Sequence, residues 1–201
     1  MALVRIEPAS PKDAWVAAEL MFMAYHEFSY DIFGHVGESG ARDYYKKLWR
    51  HGNNRFGYKF SYSAKLENKT VAIMTCYNAK QIRKLVLPTL RQLLYFGRGK
   101  FILHFITHLN NFYYFSSNQE TYPDELYVAT LSVLPEYRSM GIGAEMLQYA
   151  RKVTKNLGLR RCTLHVSAQN EGGIRFYERN GFVKVQPVEK QAVYFRMVAS
   201  V

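Results

Sequence analysis

A chain of 201 residues, 48% of them hydrophobic and 21% charged, can bury one sizeable core, and intrinsic disorder is excluded. A formal net charge of +11 favours phosphate-bearing partners without choosing among a cofactor, a nucleic acid and a membrane. Cys76 and Cys162 stand in apolar runs and the histidines lack paired ligand spacing, which argues against a disulfide framework and against a metal site.

Residues 4–7 read as a first strand. Pro11 opens a helix predicted to run through Ser29, with Trp15, Ala18, Phe22 and Tyr25 on one face. A second helix is predicted over residues 39–50. Residues 62–66 and 70–77 are strands, joined as a hairpin by a turn at Glu67, Asn68 and Lys69.

Residues 80–118 interrupt this order. Two short helices are predicted at 85–96 and 100–111, parted by Gly97 and Gly99. Phe101, Phe105 and Leu109 share a face with Ile102 and Ile106, and Arg83, Lys84, Arg91, Arg98 and Lys100 surround it with positive charge. The readings open here are a plain solvated helix pair, a lid over a substrate pocket, and a surface for an anionic membrane or nucleic acid.

Residues 126–133 form a nearly continuous apolar strand ended by Pro135. A helix follows over 141–157, with Met146, Leu147, Ala150, Val153, Thr154 and Leu157 on one face and Gly158 as its C-terminal cap. A strand at 161–166, a short helix at 172–180 stopped by Gly181, and strands at 182–185 and 192–198 complete the chain. The order is α/β, and the strand–helix–strand unit at 126–166 should set two strands parallel. No stretch reaches about 18 uncharged apolar residues and the start lacks a secretory signal, so no membrane span is expected and the cytoplasm is the default location.

Chemistry concentrates between that strand and helix. Arg138, Ser139, Met140, Gly141, Ile142, Gly143 and Ala144 place two glycines at a helix start, where backbone N–H groups lack partners and the dipole is positive. Such a turn binds phosphate. The lysine of a P-loop is absent, as is the third glycine of a dinucleotide fingerprint.

This segment resembles the pyrophosphate loop of the GCN5-related N-acetyltransferase (GNAT) superfamily, Gln/Arg-x-x-Gly-x-Gly/Ala, at Arg138, Gly141 and Gly143. A second block is similar as well: Asn170, then a helix bearing Tyr177, then Gly181 and Phe182. The resemblance covers about residues 125–198; over 1–78 only the order of elements agrees, and over 80–118 there is none. It implies a mixed, mostly antiparallel central sheet flanked by helices, with a helical insertion between the third and fourth strands, all in a single domain spanning 1–201.

The resemblance also implies an enzyme that moves the acetyl group of acetyl-coenzyme A directly to a primary amine in a ternary complex. By it, backbone N–H groups of Ser139, Met140, Gly141, Ile142, Gly143 and Ala144, with Arg138, hold the pyrophosphate. Val133 pairs its backbone with the pantetheine arm, Asn170 contacts the cofactor, and Tyr177 points its hydroxyl at the sulfur. A backbone N–H near Leu134 is the expected oxyanion donor. No metal is implied.

A base is required, since a lysine-like amine with a pKa of roughly 10.4 is protonated at neutral pH. Tyr127 occupies the position of one well-known family glutamate. Glu125 is the first candidate, with Asp124, Glu27, His26 and His165 as alternatives. A sensing module that binds acyl-coenzyme A without turnover is the competing function, and a basic surface on the insertion is a third. Nucleic acid is disfavoured for want of a recognition motif, and a homodimer is left open.

Overall fold

The computed structural model describes residues 4–33, 36–107, 121–185 and 194–201, with the backbone alone described at 27, 28, 31, 32 and 98–107. Its elements run β1 (Arg5–Pro8), α1 (Ala14–Ala24), α2 (His26–Phe33), α3 (Gly37–His51), β2 (Ser61–Leu66), β3 (Lys69–Asn78), α4 (Ala79–Thr107), β4 (Glu125–Val133), α5 (Ile142–Asn156), β5 (Arg161–Ser167), α6 (Glu171–Arg179), β6 (Val183–Val185) and β7 (Tyr194–Ser200). One sheet has the strand order β1-β2-β3-β4-β5-β7-β6. Its strands pair antiparallel except for β4 and β5, which are parallel. This is the mixed, mostly antiparallel sheet expected, with helical chain between β3 and β4.

Alternating burial puts a core on each face of the sheet. Met74, Cys76, Leu126, Val128, Cys162, Leu164 and Met197 pack under α5 and α6. The other face carries α1, α2 and α3 over Ile73, with Tyr45, Leu48 and Trp49 fully buried. Trp49 also donates its indole N–H to the Ser10 carbonyl at 2.8 Å. Loss of such a ring costs about 3–5 kcal/mol.

Several elements differ from the sequence reading. The first helix begins with a 3-10 turn at Pro11–Asp13, capped by Ser10. It breaks at Tyr25, whose hydroxyl bonds the Ala129 carbonyl (3.1 Å) and the Thr130 hydroxyl. Trp15, expected on the apolar face, is exposed and lies under the Lys46 ammonium, 3.8 Å from the ring centroid.

The hairpin turn uses Glu67 and Asn68, both at positive φ (49° and 64°), the left-handed pair that suits a two-residue connection. The two helices predicted at 85–96 and 100–111 are one helix through Thr107; Gly97 and Gly99 do not break it, and Pro88 is accommodated inside it. The tail of the second predicted helix at 108–111 lies outside the described residues, as does the start of the last strand at 192–193.

Candidate active site

The strand β4 ends at Val133, and the Leu134 N–H donates to the Val71 carbonyl at 2.9 Å. The Leu134 N–H itself is thus spent on the sheet, so an oxyanion donor expected near Leu134 would have to be another N–H. A single 3-10 turn at Pro135–Tyr137 leads into Ser139 (φ 63°) and Gly141 (φ 82°). Gly141 is the N-cap of α5, and no side chain caps that terminus. The first helical bond runs from the Glu145 N–H to the Gly141 carbonyl at 3.1 Å, so the N–H groups of Ile142, Gly143 and Ala144 lie ahead of the hydrogen-bonded ladder. With the positive end of the helix dipole, they form a cradle for a phosphate.

The two glycines serve different needs. A Cβ at Gly141 would meet nothing within 4 Å, so its left-handed backbone is what calls for glycine. A Cβ at Gly143 would come within 3.0 Å of the Phe176 ring, so glycine there lets α6 close on the start of α5. Arg138 folds back, its Nε donating to the Val133 carbonyl at 3.2 Å. The structure therefore gathers Val133 and the run from Arg138 to Ala144 at one end of β4. The open space, uncapped N–H groups and adjacent arginine fit a diphosphate.

Next to this cradle the sheet opens. The strands β4 and β5 pair only from Glu125, Leu126 and Tyr127 to Arg161, Cys162 and Thr163. Farther along, β4 bulges at Ala129: Thr75 opposes Thr130 while Cys76 opposes Val128. The bulge redirects β4, and Tyr25 satisfies the carbonyl it frees.

On the α5 and α6 side, Tyr177 packs with Phe176 and Phe182, ring centroids 5.2 and 6.0 Å away. Desolvation pushes its pKa up to about 12. No hydrogen bond engages its hydroxyl among the described residues. Asn170 caps α6, its side chain accepting from the Gly173 N–H at 2.8 Å.

On the opposite face the alternation of β5 presents Arg161, Thr163 and His165 beside Tyr127 and Arg196. The His165 Nδ1 lies 3.4 Å from the Tyr127 hydroxyl oxygen. Burial, then the Arg196 charge, lower its pKa to about 4 against an opposing pull from Glu125. The imidazole is accordingly neutral at pH 7.

Glu125 is fully buried. It accepts hydrogen bonds from Arg196 Nη2 at 2.7 Å and the Tyr122 N–H at 3.0 Å, and forms an ion pair with Arg161, whose Nε lies 3.4 Å away. Asp124 pairs with Arg161 at 3.0 Å. His26 stacks edge-on with Phe22 and Tyr30. Glu27 belongs to α2, and its side chain lies outside the described residues.

The charge partner Arg196 was missed in the sequence; its only signal there is that Arg196 and His165 alternate with apolar neighbours in facing strands. Leu85 of α4 packs with Tyr77 and Tyr127, so this helix borders the same group. Both cysteines are buried thiols whose pKa is raised by desolvation, and Cys162 bonds the Thr154 hydroxyl at 2.8 Å.

Known proteins resemble this chain in sequence and in fold. Over 58 residues the chain is 38% identical to N-alpha-acetyltransferase 30 of Schizosaccharomyces pombe, covering 29% of this chain and 39% of that one. Over 84 residues it is 33% identical to N-alpha-acetyltransferase 50 of Danio rerio, covering 41% and 46%. The chain thus spans less than half the length of these curated relatives. Among solved structures, an N-acetyltransferase from Staphylococcus aureus Mu50 superposes with a TM-score of 0.72 at 18% identity, covering 97% of this chain and 100% of that one. The PaiA N-acetyltransferase of Thermoplasma acidophilum, solved with coenzyme A, gives 0.55 at 17% identity and 99% coverage of each chain. At such identities these two show a shared fold. The sequence profile of the acetyltransferase (GNAT) family matches residues 22–182, and the chain belongs to that family.

Proposed function

We propose that the protein acetylates the α-amine at the N-terminus of a peptide or protein, by direct transfer in a ternary complex. As in the rest of its family, acetyl-coenzyme A is the donor, and when bound it supplies the activated acetyl group and a thiolate leaving group. The observation that carries the reading is the uncapped start of α5 beside the parting of β4 and β5.

Each role is assigned from placement. The N–H groups from Ser139 to Ala144 hold the diphosphate, and Arg138 can swing from the Val133 carbonyl to join them, freeing that carbonyl for the pantetheine amide. Asn170 shapes the start of α6. Tyr177, its pKa raised to about 12 by burial, is protonated at neutral pH and can give that proton to the departing sulfur. Burial raises the pKa of both thiols, which favours direct transfer over an acyl-cysteine route.

The opposite face supports this acceptor class. His165 and Tyr127 offer lone pairs to an incoming N–H, yet an imidazole with a pKa near 4 cannot store a proton at neutral pH. Such a site suits an amine that sheds its proton to water unaided. An α-amine, at about 7.7–8.0, does this far more readily than a lysine or polyamine amine at about 10.4. N-alpha-acetyltransferases recur among the relatives, which also include a spermidine N(1)-acetyltransferase, the reason spermidine enters the test. Glu125 is assigned to holding Arg196 and Arg161 in place, and through them the electrostatics around His165.

The test offers acetyl-coenzyme A with three acceptors: a peptide with a free N-terminus, the same peptide blocked there but carrying lysine, and spermidine. Thiol release with the first alone is the expected result. Release with the blocked peptide or spermidine in preference overturns the acceptor, and release with none of a varied peptide set favours a sensing module.

A further inference from the structure

We propose that the outer face of α4 binds an anionic lipid surface. The chain carries no Asp or Glu between Glu67 and Glu120, while Lys80, Arg83, Lys84, Arg91, Arg98 and Lys100 fall within α4. Leu85, Thr89 and Leu93 point inward and are buried, and Thr89 and Gln92 fasten the helix through bonds to the Arg55 N–H and to Asn54. The opposite stripe is Lys80, Lys84, Leu87, Arg91 and Leu94, spaced along one line of the helix.

Two features set this stripe apart from an ordinary solvated face. Its cations Lys80, Lys84 and Arg91 form no ion pair among the described residues. Large apolar groups stand among them: Leu87 is 53% exposed, Val86 49% and Tyr95 77%. Unpaired cations attract a negative surface, and exposed Leu, Val and Tyr side chains gain by entering the headgroup boundary. A nucleic acid would satisfy the cations and leave the apolar groups in water. No helix among the described residues is long and apolar enough to cross a membrane, so the contact is peripheral. Because Leu85 on the inner face belongs to one buried cluster with Tyr77 and Tyr127, binding would set the acceptor side of the active site close to the lipid surface.

The test is co-sedimentation of the full chain with phosphatidylcholine vesicles, with and without phosphatidylserine, and duplex DNA as a competitor. Binding should require phosphatidylserine. It should fall at least about tenfold both in Lys84→Glu/Arg91→Glu and in Leu87→Ser/Tyr95→Ser, which keeps every charge. All four positions are solvent-facing, and an unchanged melting temperature verifies that the variants fold. Absence of vesicle binding, binding that ignores Leu87→Ser/Tyr95→Ser, or displacement from vesicles by DNA overturns the proposal.

Discussion

The Nδ1 of His165 sits 3.4 Å from the hydroxyl oxygen of Tyr127, one alternation beyond the last paired step between β4 and β5. Two polar side chains thus meet where the parallel strands part, on the face away from α5 and α6. If they receive the acceptor nitrogen, His165→Phe and Tyr127→Phe should each lower kcat/KM for the preferred peptide by on the order of a hundredfold. Cofactor affinity, measured by thermal shift with coenzyme A, should stay within about twofold of wild type, since neither residue touches the cradle. Near-normal turnover in both variants would remove the pair from the reaction.

The His165 environment also makes a pH prediction. Its folded pKa of about 4 lies below the ordinary 6.5, so between these values the unfolded chain binds the additional proton. Stability contributed by the neutral imidazole is whole above about pH 6.5 and is lost as pH falls toward 4. Denaturation at a series of pH values should show this slope in the wild type and a flatter one in His165→Phe. The rate profile should have no rising limb at the usual histidine range; it should instead rise with deprotonation of the acceptor amine, near pH 8 for an α-amine. A rising limb near 6.5 that disappears in His165→Phe would contradict the assigned protonation state.

Glu125 supplies a separate test. It is fully buried against Arg196 and Arg161, so Glu125→Ala strands two arginines and should destabilise the fold by about 3–5 kcal/mol. Arg196→Gln removes the other member of the tightest pair. A positioning role predicts that Glu125→Gln and Arg196→Gln lower turnover to similar extents and both shift the His165 titration seen by NMR. If Glu125 were itself the base, Glu125→Gln alone would abolish turnover while Arg196→Gln left it largely intact.

The cradle was legible because its signal is local: the glycines, the helix period and the proline stop all lie within one stretch around Arg138. The parallel pair followed from the strand–helix–strand unit at 126–166, and the mostly antiparallel sheet from the family resemblance, while the strand order itself had no local signal. The group at Tyr127, His165 and Arg196 is assembled across three strands, and no spacing in one sequence brings positions 127, 165 and 196 together. Two local readings failed for a tertiary reason. The first helix breaks at Tyr25, whose hydroxyl reaches across to the Ala129 carbonyl at the bulge, and α4 runs through Gly97 and Pro88 with its inner face packed against β3 and α3. A glycine or proline weakens an isolated helix by an amount that such packing outweighs.

The glycines of the cradle separate backbone demand from packing demand. Gly141→Ala meets no protein atom but forces a side chain into a left-handed conformation, at a cost of about 1 kcal/mol. Gly143→Ala must displace the Phe176 ring. Both should weaken coenzyme A binding in isothermal titration, and a second substitution of Phe176→Leu should restore stability only in the Gly143 variant. Restoration of both, or of neither, would show that the ring does not set the position of the helix start.

Tyr177 is the remaining group with a proton to give. It belongs to α6, packed between Phe176 and Phe182, and desolvation raises its pKa to about 12. It therefore holds its proton when a thiolate leaves, and its hydroxyl is not engaged by another described residue. As the acid, it predicts that Tyr177→Phe lowers turnover by about one to three powers of ten with little change in acetyl-coenzyme A affinity, because the ring and its packing persist. A packing role predicts the reverse pattern: near-normal turnover in Tyr177→Phe, and loss of stability confined to Tyr177→Ala, where the cavity beside Phe182 costs about 3–5 kcal/mol. Steady-state kinetics and melting curves on both variants, with one peptide acceptor, separate the two roles. Full activity in Tyr177→Phe leaves water as the donor to the sulfur and reduces Tyr177 to a wall of the core.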